Sequence, residues 1–175
     1  MKFIKGFLVS IALYVGLSIL FQGLAIVGAG GAFESLFLGL DSISRLLYAY
    51  LADPALTTVF RATVLYIAAP TDWSILMAIL GSVLPIALAA VLGSLAERKS
   101  GSVKYIFLST FLGLMVIAAV GIILQVLNWP ALGVTLTTNH YEHWEWFLPG
   151  ALIMTALNAF VWCAIGLFIT SKGWG

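Results

Sequence analysis

Four runs of apolar residues, near 6–28, 73–95, 105–127 and 148–170, alternate with polar gaps along the chain. A helix rising 1.5 Å per residue needs about 20 apolar residues to cross a hydrocarbon core of roughly 30 Å. Lipid offers a backbone no hydrogen-bond partners, so each run that crosses it has to be helical. The pattern therefore predicts an all-α fold: one integral membrane helical bundle of four transmembrane helices, a single domain over residues 1–175. The run boundaries carry matching punctuation. Thr71-Asp72-Trp73 supplies an N-cap followed by an interfacial aromatic. Pro149 sits where a first-turn proline is tolerated, and Asn128-Trp129-Pro130 stops the third run. Pro85 falls inside the second run and predicts a kink, because it frees a backbone carbonyl that then needs another donor.

Between the first two runs the pattern changes. Over 33–51 the spacing of Phe33, Leu36, Leu40, Ile43, Leu47 and Tyr50 is helical, with Glu34, Asp41 and Arg45 on another face. Asp53-Pro54 then reads as an N-cap and first-turn proline opening a second helix that contains Arg61. The two make a helical hairpin over 33–69, lying on one leaflet as an amphipathic pair or dipping into it as a re-entrant pair. The alternative is that both arms cross, giving six short spans. That would place Arg45 and Arg61 inside the bilayer, where arginine needs a polar partner.

The charges are few and sorted. Lys2, Lys5, Arg98, Lys99, Lys104 and Lys172 fall in alternate gaps, while Glu34, Asp41, Asp53, Asp72, Glu142 and Glu145 fall in the others. The positive-inside rule turns this sorting into an orientation: a multi-pass protein of the cell membrane with both termini cytoplasmic. The hairpin and the aromatic loop 128–147 then face outward. Only 9% of residues are charged against roughly a quarter in a soluble domain, too few to coat a surface facing water. A net charge of +1 leaves no basic stripe for nucleic acid. The first run follows Met1-Lys2 and ends in Gly28-Ala-Gly-Gly-Ala, small enough to resemble a cleavage site. Its length exceeds the roughly 7–15 residues of a signal-peptide core, so an uncleaved anchor is expected. Cys163, in the last run, has no partner for an intramolecular disulfide and reads as a small buried hydrophobe.

Chemistry is sparse. Within the four spans no Asp, Glu, Lys, Arg or His occurs, so proton relays, ion paths and haem ligation lack their usual groups. Gln22 and Asn158 are the polar residues costliest to leave unpaired in lipid, and each is expected to point at another helix. Gly81, Gly93, Gly113 and Gly121 mark small faces for close packing, either within the bundle or against a partner. Outside the spans, His140 and His143 share a helical face with Glu142 or Glu145 nearby, a ligand set suited to Zn or Cu. Solvated side chains at the headgroup level are the simpler reading of that cluster. No phosphate loop, zinc-protease motif or nucleophile elbow is present. The expectation is a small, non-enzymatic accessory or scaffold subunit that packs against other integral membrane subunits and lipid. The alternative is a small-molecule transporter or substrate-binding component, with Arg45, Arg61, Asn158 and the His pair lining an outward-facing pocket.

Overall fold

The computed structural model describes residues 4–52, 73–98, 102–128 and 144–172. It is all-helical there: α1 (Ile4–Gly28), a short 3-10 turn (Phe33–Phe37), α2 (Leu40–Ala52), α3 (Trp73–Glu97), α4 (Val103–Leu127) and α5 (Trp144–Lys172). Four of these, α1, α3, α4 and α5, contain stretches long and apolar enough to cross a membrane. They match the four runs in the sequence.

The helix ends follow local chemistry. α1 stops on glycine: Gly30 adopts φ +81°, its N–H donates to the Val27 carbonyl, and the Gly31 N–H donates to the Ile26 carbonyl. This is a Schellman closure, and a left-handed residue at that position favours glycine. The small residues that resembled a cleavage site are thus the stop signal of the first helix. α4 ends at Asn128, whose N–H reaches back to the Leu124 carbonyl. α3 runs unbroken through Pro85, which is fully buried. α5 begins earlier than its proline implied. It starts at Trp144 and carries Pro149 inside the helix rather than in the first turn. Pro149 and Glu145 are both exposed, so the carbonyl that the missing N–H leaves free is not enclosed by the bundle.

The four spans pack with α3 and α4 in the middle, flanked by α1 and α5. Gly6 of α1 meets Gly93 and Glu97 of α3 and Ser109 of α4, which brings those ends together. Gly166, near the end of α5, lies against the backbone of Ala90. Lys5, Arg98 and Lys104 are exposed around this end, here called the basic end. The first and last described helices therefore begin and finish on the same side of the bundle.

Burial is inverted relative to a water-soluble bundle. The buried side of α1 is Gly6, Ser10, Tyr14, Ser18 and Gly23, while Leu8 and Leu20 point outward. Leu108, Val116, Ile123, Ile153, Phe160 and Phe168 are likewise exposed on the other spans. In lipid the hydrophobic effect gives helices no reason to associate, so the interior is assembled from small residues, dispersion and hydrogen bonds. An apolar exterior around a partly polar interior is what that solvent demands.

The segment after α1 departs from the expected single helix over 33–51. The chain makes a 3-10 turn, breaks at Leu38 and Gly39, and restarts as α2; Gly39 has φ +105°, which a side chain would resist. The expected apolar face does not hold either. Phe33 and Leu40 are exposed, whereas Ser44, Leu46, Tyr48 and Leu51 are buried. α2 does not lie flat on the bundle. It contacts all four spans, most extensively α4 and α5. It occupies the end of the bundle opposite the basic residues. The second arm of the expected hairpin falls outside the described residues.

Candidate functional site

Two polar knots hold the helices together, one at each end. At the basic end, the Gly6 N–H of α1 donates to Glu97 Oε2 at 2.8 Å. Glu97 is only 3% exposed. The first turn of a helix has four N–H groups without intrahelical acceptors and a partial positive charge, so a carboxylate there satisfies both. Close approach makes the contact possible. A Cβ on Gly6 would lie 2.9 Å from the Gly93 carbonyl oxygen and 2.6 Å from Ser109 Oγ. One turn on, Ser10 and Thr110 close over Gly93, each with an atom 3.1 Å from where its Cβ would stand. Gly113 is crossed by Phe7, whose carbonyl oxygen lies 2.8 Å from the same construction, and by Ser10 Oγ.

The second knot is the seat of α2. Ser44 Oγ donates to Gln125 Oε1 across the α2–α4 interface, and both residues are fully buried. Gly121, one turn from Gln125, admits the α2 backbone: its Cβ would lie 2.8 Å from the Ser44 carbonyl oxygen and 2.8 Å from Leu47 Cβ. Tyr48 packs edge-on against Phe147 of α5, ring centres 5.8 Å apart. Deeper, Asn158 Nδ2 donates to the Leu51 carbonyl at 2.6 Å. Leu51 lies near the end of the described part of α2, and Asn158 ties that end to the middle of α5.

The depth of that tie is informative. α5 runs from Trp144 to Lys172, which places Asn158 14 residues from each end (158 − 144 and 172 − 158). At 1.5 Å per residue this is roughly 21 Å from either end, the middle of the span. The 13 described residues of α2, about 20 Å of helix, reach to that depth. The described arm enters the bundle, as both the re-entrant pair and the six-span alternative require. Arg45 travels with it and is half-buried.

The residues singled out from sequence can now be placed. Gly93, Gly113 and Gly121 sit at close helix contacts within the chain, and Gly81 is buried in α3. Asn158 points at another helix as expected. Gln22 is half-buried, and its Nε2 has no hydrogen-bond partner among the described residues; the same holds for Ser18 Oγ and Thr155 Oγ1. His140, Glu142 and His143 lie outside the described residues, as does Arg61, and Glu145 is exposed in the first turn of α5. Among the described residues no group of three or more His, Cys, Asp or Glu is placed to hold a metal. Sequence reasoning missed Glu97 and Ser44. An acidic residue in the last turn of α3, where the helix dipole disfavours it, was a usable signal for the first.

Replacing Asn158 with leucine leaves the Leu51 carbonyl without this donor in an apolar interior. Interhelical hydrogen bonds in membranes contribute about 1 kcal/mol, and a loss of that size is expected in reversible unfolding in detergent.

These features define a class: a multi-pass helical membrane protein in which a further helix, α2, is set into one end of a bundle of four apolar helices. Comparison of the chain with protein-family models, with curated proteins and with solved structures finds no match.

Proposed function

We propose that this protein is a small, non-catalytic accessory or scaffold subunit of a larger assembly in the cell membrane, oriented with both termini in the cytoplasm. One observation carries the reading. Polar groups and glycines of the interior tie its own helices at both ends: Glu97 to Gly6, Gln125 to Ser44, Asn158 to Leu51, and Gly93, Gly113 and Gly121 to neighbouring helices. A bundle tied together at both ends, with an apolar exterior, suits a packing element. Its partners are other integral membrane subunits and lipid. On the exterior, Gly16 of α1 is exposed and a Cβ there would meet nothing within 4 Å, with the exposed Ala12 one turn away. This is where another helix could approach closely. The test is isolation from native membranes in mild detergent. The protein should migrate in a complex well above its own 18.8 kDa, and Gly16→Leu should weaken that association without unfolding the chain. Migration of the native protein as a lone monomer would sink the proposal.

A second reading, a transporter or substrate-binding component, is favoured by the depth of α2. A helix that carries an arginine into a bundle of spans is tolerated where protein or a polar cavity surrounds it. Under this reading Arg45 and Asn158 belong to the pathway. Solute flux into proteoliposomes is its direct test.

A further inference from the structure

We propose that the basic end of the bundle is a docking surface for anionic phospholipid, with headgroups held by Lys5, Arg98 and Lys104 and acyl chains lying on the leucines one turn deeper. The inference deepens the accessory reading above, on which it rests for lipid as a partner. That reading is tested by co-migration and this one by lipid binding, so either can fail alone.

Charge is unbalanced at this end. Lys5 of α1, Arg98 just after α3 and Lys104 of α4 are all exposed. Among the described residues the one acidic side chain here is Glu97, which is buried and accepts the Gly6 N–H. Glu34, Asp41 and Glu145 belong to segments at the other end. The cations are also close together. Lys5 and Arg98 each adjoin a partner of the 2.8 Å Gly6–Glu97 bond. Lys104 precedes Ser109, which packs on Gly6, by five residues (109 − 104). That is roughly 7.5 Å of helix, within a Debye length of about 8–10 Å, so an anion meets the three as one patch. Lys5 and Lys104 each stand in the first turn of a helix, where the dipole already disfavours positive charge. An anionic headgroup at this level offsets that cost.

The apolar side chains select lipid over a soluble anion. Beside each cation an exposed leucine lies one turn further into the bundle: Leu8 after Lys5, Leu95 before Arg98 and Leu108 after Lys104. Residues three or four apart share a helix face. A charged group therefore stands over an apolar one three times, on three helices, and the exposed ring of Tyr105 lies at the level of the cations. A free phosphate has a use for the charged layer alone; a phospholipid matches both. Each Lys or Arg near an anionic headgroup strengthens the association roughly fivefold.

The test is native mass spectrometry of the full chain in non-ionic detergent, titrated with dioleoyl phosphatidylglycerol and, separately, with zwitterionic dioleoyl phosphatidylcholine. Phosphatidylglycerol should bind at least fivefold more tightly. Lys5→Gln, Arg98→Gln and Lys104→Gln should each weaken it severalfold, and the triple variant should bind both lipids alike. All three side chains are exposed, so the variants should keep the parent's helix content by circular dichroism. Inorganic phosphate in hundredfold excess should not displace the lipid. Glu34→Gln, which raises the net charge from the far end, should leave binding unchanged. Equal binding of the two lipids by the parent, or a preference that survives the triple substitution, overturns the proposal. Displacement by phosphate overturns it too, as does a gain from Glu34→Gln as large as the loss from Lys5→Gln, which would mean a response to total charge.

Discussion

Exchanging Gly113 for valine should cost the folded protein on the order of 3 kcal/mol or more, while the same exchange at Gly16 leaves stability within about 0.5 kcal/mol of the parent. The two glycines lie in neighbouring helices of similar composition, so residue type alone does not separate them. Their surroundings do. A Cβ at Gly113 would stand 2.8 Å from the Phe7 carbonyl oxygen and 3.4 Å from Phe7 Cα, with Ser10 Oγ closer still. Two of those atoms are backbone and cannot rotate away. The valine would force α1 off α4, and the Ser10 and Thr110 contacts over Gly93 would open with it. At Gly16 nothing stands within 4 Å, and a side chain there adds only lipid contact and helix propensity. Unfolding by SDS titration from mild detergent micelles would read both. Comparable losses at the two positions would mean that α1 does not pack as described.

Substituting Glu97 by alanine is expected to remove about 2 kcal/mol, and by glutamine about half of that. The carboxylate contributes in two ways. It accepts the Gly6 N–H, and its charge faces the positive end of α1. Glutamine keeps an acceptor of similar shape and loses the charge, which sets the order of the two variants. Alanine leaves the Gly6 donor unpaired in a sealed position. Because Glu97 is 3% exposed, salt should screen the effect weakly, and the loss should persist between low and high ionic strength. If glutamine proves as damaging as alanine, the charge matters more than the bond. If neither variant changes stability, the cap has no energetic role.

Much of the fold was legible because hydrocarbon is an undemanding solvent to read for. Twenty apolar residues between polar gaps specify a helix and its length, and the stops at Gly30 and Asn128 follow from local geometry. The small residues at 93, 113 and 121 were legible as packing positions for the same reason. What stayed hidden was which face meets what. The 33–51 periodicity indicated an apolar side, yet periodicity cannot distinguish a helix lying on a bundle from one enclosed by it. Once enclosed, α2 buries Ser44 and leaves Leu40 exposed, against the simple pattern. Glu97 was hidden because its partner is 91 residues away, and it stands beside basic residues that made it look like part of a solvated loop. Asn158 was recognisable as a residue in need of a partner, but the Leu51 carbonyl, 107 residues distant, carries no mark in the sequence.

The order in which the chain is made bears on α2. Its seat is furnished by helices that leave the ribosome after it: Gln125 follows Ser44 by 81 residues, and Asn158 follows Leu51 by 107. During synthesis residues 40–52 therefore lack the main part of their seat until α4 is made, and the rest until α5 follows. Docking of α2 is thus completed late in biogenesis, and a nascent chain arrested before α4 should keep residues 40–52 open to proteases that the finished protein resists.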